Sequence, residues 1–174
     1  MIRARTQGRE AALKVLYQVD LRPDLSEAEV EQALRTEAKS DDAVAFAREL
    51  VRGTRAHMPE IDREVEEIAH NWNLRRMAVV DRNVIRLGAF ELIWRLDIPP
   101  AVAINEAVTI AKKYSTKDSG AFVNGILDKV LRRHGREAEL RQAPADLDAD
   151  AEGHDAGEPG GAGEPADGEE GEDA

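Results

Sequence analysis

Six side chains set around one short loop could hold a nucleic acid. Lys112, Lys113 and Tyr114 close one helical segment, the loop STKDS carries Lys117 and Asp118, and Phe122 stands early in the next segment. Ammonium groups neutralise phosphates and aromatic rings stack on unpaired bases, so this grouping suits single-stranded nucleic acid. The loop has a plainer reading as a connector, with Asp118 or Ser119 capping the following helix. In a functional reading, backbone N–H groups at that helix start meet a phosphate or a base edge. The residue types alone do not choose.

A second candidate lies at the N-terminus. Arg3, Arg5, Arg9 and Lys14 face only Glu10 within the first 16 residues. Cations at a helix start oppose the macrodipole, and their presence there suggests an external anion. Charge alone fits a solvated polar N-terminus equally well. Tyr17 follows at the edge of the first apolar stripe, beside Lys14. Tyr17, Tyr114 and Phe122 are the aromatics with cations close in sequence. Each also reads as a packing residue at a helix boundary.

Other chemistry finds no support. His57, His70, His134 and His154 lie on separate segments without metal-ligand spacing, and there is no cysteine. Asp41–Asp42 reads as a helix cap and Glu66–Glu67 as a solvated face. The glycines form neither a phosphate loop nor a dinucleotide fingerprint. Nothing nominates a nucleophile with a base. The expectation is a binding protein and not an enzyme, with no metal and no cofactor.

The elements that position these residues are helices, since no run sustains period-2 alternation. A first helix runs from Thr6 or Gln7 to about Asp20, with Ala12, Leu13, Leu16 and Val19 as its stripe, and Pro23 ends it. Ser26 and Glu29 form a capping box for a second helix to about Lys39. Asp41 or Asp42 caps a third. Pro59 marks a break before a fourth segment reaching Trp72. Asn73 caps the next turn. A fifth helix, about Ala78 to Leu96, is apolar over most of its circumference and therefore central. Ile98–Pro100 breaks the chain. The sixth helix spans Val102–Tyr114 and the seventh about Gly120–His134. Seven helices with short loops predict an all-α bundle.

Charge divides the chain. Residues 1–135 carry 22 Lys and Arg against 21 Asp and Glu, whereas residues 136–174 carry 2 against 14. The acidic balance belongs to the tail, so it does not argue against nucleic-acid binding by the domain. The tail's composition cannot bury enough apolar surface to offset backbone ordering, about 1–2 kcal/mol per residue, and is expected to be disordered. The domain is expected to span residues 1–135. No apolar run approaches the roughly 20 residues that span a bilayer. Nor does an apolar h-region follow the N-terminal cations. The expected location is the cytoplasm.

REAALKVLYQVD (Arg9–Asp20), VVDRNVIRLGAFEL (Val79–Leu92), IPPAVAINEAVTIAKKYS and SGAFVNGILDKV together resemble the NusB family of transcription antitermination factors. The resemblance covers nearly all of residues 3–134. It implies two small helical bundles sharing one core. It implies binding of boxA RNA together with NusE, a small-subunit ribosomal protein, in a complex with RNA polymerase, NusA and NusG that reads through ribosomal RNA operons. It places RNA contacts at Arg3, Arg5, Arg9, Tyr17, Asp118 and Phe122, bordered by Lys112, Lys113, Tyr114 and Lys117. It places the NusE face around Arg76, Asp81, Asn83 and Glu91. Here the N-terminal arginines are spaced out around Gly8, and Gly120–Ala121 stands where many relatives have a basic residue. Both changes reduce the number of phosphates the surface can neutralise. Two alternatives are a NusB-like domain of a ribosomal RNA methyltransferase and a helical adaptor acting only through protein partners. The first needs a following catalytic domain, and an acidic tail follows instead.

Overall fold

The computed structural model describes residues 2–70 and 73–140. Eight helices fill these stretches: α1 (Ile2–Leu21), α2 (Glu27–Glu37), α3 (Asp41–Ala56), α4 (Met58–Ile68), α5 (Val79–Trp94), α6 (Pro100–Tyr114), α7 (Ser119–Arg133) and α8 (Glu137–Leu140). A 3-10 turn, Leu74–Arg76, precedes α5, and no strand occurs among the described residues. Helices α1, α2 and α3 pack on one another, α4, α6 and α7 pack on α5, and α5 also touches α1 and α3. One continuous apolar core joins the two bundles. Every residue from Asn83 to Leu92 is buried, so α5 occupies the centre that its apolar circumference predicts. Gly8 sets the approach of α1 to α3. A Cβ there would lie 2.8 Å from Cδ1 of Phe46 and 3.0 Å from the Ala43 carbonyl oxygen.

The polar signals at helix ends act mostly as read. Ser26 Oγ accepts from Glu29 N at 3.3 Å while Ser26 N donates to Glu29 Oε2 at 2.8 Å. Asn73 Oδ1 accepts from Arg75 N at 2.8 Å. Other boundaries differ. Ser40, not Asp41 or Asp42, caps α3 by accepting from Ala43 N, and both aspartates stand in the first turn facing the positive end of the dipole. Pro59 and Pro100 lie within the first turns of α4 and α6, where a missing N–H leaves no bond unmade. α1 begins four residues earlier than Thr6. The guanidinium carbons of Arg5 and Arg9 lie 5.3 and 5.2 Å from the Phe46 ring centroid and hold its first turns against α3. α4 ends at Ile68, and Trp72 lies outside the described residues.

Helical structure also continues past Gly135. Gly135 turns the chain at φ +67°, and Arg136 is buried beyond it. Its guanidinium donates to the Leu92 and Ile98 carbonyl oxygens and to Glu139. Leu92 belongs to the last turn of α5, whose carbonyls lack helical partners, so Arg136 closes that end. The segment expected to be disordered lies, from residue 141, outside the described residues. Among the described residues no helix is long and apolar enough to cross a membrane.

Candidate nucleic-acid interface

α1 and α6 run side by side and build most of the site. Thr6 Oγ1 donates to Glu106 Oε1 at 2.7 Å. Further along, Glu10 accepts from Lys113 Nζ at 2.8 and 2.9 Å and from the Tyr114 hydroxyl at 2.7 Å. Burial opposes ionisation of Glu10, but those hydrogen bonds outweigh it and hold the carboxyl below its ordinary range. Lys113 is pushed up by its bond to Glu10. Lys14 Nζ reaches Glu37 Oε2 at 2.9 Å and is pushed up in turn. Between these ion pairs opens a groove of about 370 Å³ lined by Leu13, Val80, Tyr17 and Tyr114, with Lys14, Gln18 and Glu37 at its polar parts. Tyr17 is 37% exposed. The sequence placed Tyr17 and Tyr114 in one functional group, and the fold brings them into one groove. It does not reveal Gln18, beside Tyr17 on α1, or Glu37 and Val80, which come from α2 and α5.

The cations divide into two groups. Arg3, Arg5, Lys112 and Lys117 are exposed and make no ion pair among the described residues. Lys112 lies across Gly120, where an added Cβ would sit 2.7 Å from Lys112 Cε. The bare glycine thus makes room for a cation from α6. Arg9 differs: it is 2% exposed and Glu91 is 1% exposed. Arg9 Nε and Nη2 each donate to Glu91 at 2.9 Å, and Nη1 lies 3.7 Å from Glu106. Burial pushes the Glu91 carboxyl up, against the pull of Arg9. Neither the Arg9 guanidinium nor the Glu91 carboxyl faces solvent.

Phe122 occupies a second groove, of about 370 Å³, between α4 and α7, with Ile68, His70, Gly125 and Lys129. The two grooves share no lining residue. Between them α5 meets α7, where Ser119 Oγ donates to Asp81 Oδ2 at 3.1 Å. Asp118 is exposed and makes no side-chain cap. Ser119 N donates to Thr116 Oγ1 instead, and Thr116 N to Ser119 Oγ, each at 3.3 Å.

The polar residues of α5 are answered largely from inside. Asn83 is fully buried and donates to Asp20 Oδ2 and the Val79 carbonyl, both at 2.8 Å. Asn83 and Glu91 therefore present no side chain to a partner. Arg76 is exposed. Asp81 is half-buried, and its Oδ1 has no hydrogen-bond partner among the described residues.

This fold and surface define an all-helical protein of two bundles with a cation-flanked aromatic groove. Residues 6–132 match the model of the NusB family. The transcription antitermination protein NusB of Myxococcus xanthus is 49% identical over 131 residues, covering 73% of this chain and 94% of that protein. The chain belongs to the NusB family. Among solved structures, a T. maritima NusB superposes with a TM-score of 0.69 at 38% identity, covering 79% of this chain and 96% of that one. A structure of the antitermination factors NusB and NusE in complex with dsRNA gives a TM-score of 0.69 at 32% identity, covering 76% and 99%.

Proposed function

We propose that this chain binds boxA-type single-stranded RNA together with NusE and acts in processive antitermination of ribosomal RNA operons. It would do so in the cytoplasm, on elongating RNA polymerase carrying NusA and NusG. The carrying observation is the Tyr17–Tyr114 groove, with exposed cations outside any ion pair among the described residues along α1 and around the α6–α7 loop, on a NusB-family fold. The NusB–NusE–dsRNA neighbour supports RNA and NusE as partners. Accessible aromatic rings favour unpaired bases over a duplex, whose bases are already stacked. In this reading Arg3, Arg5, Lys112 and Lys117 meet phosphates. Tyr17 and Phe122 stack on bases, Asp118 accepts from a base edge, and Arg76 with Asp81 meets NusE. Lys113 and Tyr114 act through Glu10 by shaping the groove.

The second reading, an adaptor for proteins alone, draws on the spent cations: Arg9, Lys14 and Lys113 already have carboxylate partners. Fluorescence anisotropy with boxA-type RNA, with and without NusE, separates the two. Replacing Arg3, Arg5 and Lys112 by Ala should make the salt dependence shallower by roughly 0.7 for each phosphate that is no longer neutralised. Phe122→Ala should cost about 1–3 kcal/mol of binding. A duplex of the same sequence should compete poorly. Wild-type affinity in the combined variant, with its melt preserved, would establish the adaptor reading.

A further inference from the structure

We infer that the Tyr17–Tyr114 groove is a guanine subsite, in which one unpaired guanine inserts and its Watson–Crick edge is read by Glu37 and Lys14. The inference rests on the RNA-binding reading above and specifies what that surface recognises. A surface that must attract phosphates gains nothing electrostatically from carboxylates, yet this one holds two. Glu10 is fully occupied by Lys113 and Tyr114. Glu37 is not. Its Oε2 accepts from Lys14 Nζ at 2.9 Å, and its Oε1 accepts no hydrogen bond among the described residues. The pair therefore offers an acceptor pair beside a donor at the polar edge of a groove with apolar lining.

Guanine is the base that complements this arrangement. Its N1–H and exocyclic N2–H lie side by side and meet both oxygens of one carboxylate, while its O6 accepts from an ammonium. Adenine, cytosine and uracil each lack that adjacent donor pair. Leu13, Val80 and the two tyrosine rings supply the apolar surface on which a base packs. The Tyr114 ring already has Lys113 Nζ 5.2 Å and Lys14 Nζ 5.8 Å from its centroid, so the stacking face is that of Tyr17, which is 37% exposed. A volume of about 370 Å³ holds a single nucleoside and falls at the small end of ligand clefts. The Tyr114 hydroxyl, bonded to Glu10, fixes one wall before the base arrives. Lys14 stays charged beside Glu37, which keeps the donor in place.

The test uses the full chain and ten-nucleotide oligouridine probes carrying one central guanosine, inosine or adenosine, measured by anisotropy with and without NusE. Inosine keeps N1–H and O6 but lacks the N2 amino group. The expected order is guanosine, then inosine, then adenosine, with guanosine bound roughly 10-fold more tightly than adenosine. Glu37→Gln and Lys14→Met should each collapse the guanosine-to-adenosine ratio towards one. That ratio is the readout, because a general folding defect weakens all three probes together. Equal binding of guanosine and inosine probes by the wild type overturns the subsite while leaving RNA binding intact. A ratio that survives Glu37→Gln also overturns it. So does a ratio that survives while NusE affinity falls, which would make the groove a protein contact. Failure of the wild type to bind any probe, with or without NusE, overturns the RNA-binding reading as well.

Discussion

Removing Arg9 leaves the Glu91 carboxylate buried and without its two-bonded partner. Breaking a buried ion pair from one side costs about 3–5 kcal/mol, because the remaining charge stays desolvated. Arg9→Ala should therefore lower stability by that order in urea unfolding. The double replacement Arg9→Met with Glu91→Leu should recover much of the loss, since it removes both charges and keeps the volume. Arg9 would be an RNA ligand after all if Arg9→Ala melted like wild type and still weakened RNA binding. Charge and position do not separate Arg9 from Arg5 in the sequence. One faces solvent and the other faces Glu91, 82 residues away, and only the packing of α1 on α5 assigns the two roles.

At the scale of the elements, Asp20 staples α1 to α5, and Arg86 extends the link to α4. Its Oδ2 accepts from Arg82 Nε at 2.6 Å, from Asn83 Nδ2 at 2.8 Å and from Arg86 Nη1 at 3.2 Å, while Arg86 also holds Asp62 on α4 at 2.7 and 2.8 Å. Burial opposes ionisation of Asp20, but hydrogen bonds from Arg82 and Asn83 and the charge of Arg86 outweigh it, so its carboxyl lies below the ordinary value. A depressed folded-state value stabilises the fold above the unfolded pKa, about 3.9, and that contribution fades as pH falls through the folded value. Asp20→Asn should lower stability at neutral pH and flatten the decline of stability below about pH 4. Parallel acid limbs for variant and wild type in chemical unfolding would disprove the staple's electrostatic role. The helices themselves follow from local signals such as the Ser26–Glu29 box. Their starts at Pro100 and Ile2 follow from features that local periodicity misses, an N1 proline and docking against Phe46.

For the whole molecule, the charge division gives a prediction with a defined cut site. Residues 141–174 carry 12 acidic residues against one arginine, on a chain whose described surface bears free cations. That charge should compete with RNA, and salt should screen the competition over a Debye length of about 8 Å at physiological strength. Truncation after Leu140 should tighten RNA binding at low salt and leave the melting temperature nearly unchanged. Truncation after Gly135 should lower the melting temperature, because Arg136 caps the end of α5. Equal affinity of full-length and Leu140-truncated chains at low salt would remove the competition. Equal melting of the two truncations would remove the role of Arg136.

The helical class, the central place of α5, the capping residues at Ser26 and Asn73, and the family are all legible in the linear chain. Each of these depends on periodicity or on partners within a few residues, which a linear chain displays. Tertiary structure alone decided which charges remain available. Arg9, Lys113, Asn83 and Glu91 each find their partner at least 60 residues away, on another helix. Tertiary structure also decided that Tyr17 and Tyr114 share a groove with Glu37, while Phe122 lines another. Ion pairing and burial are properties of the packed helices, and residue type at a position carries no record of what will stand across from it.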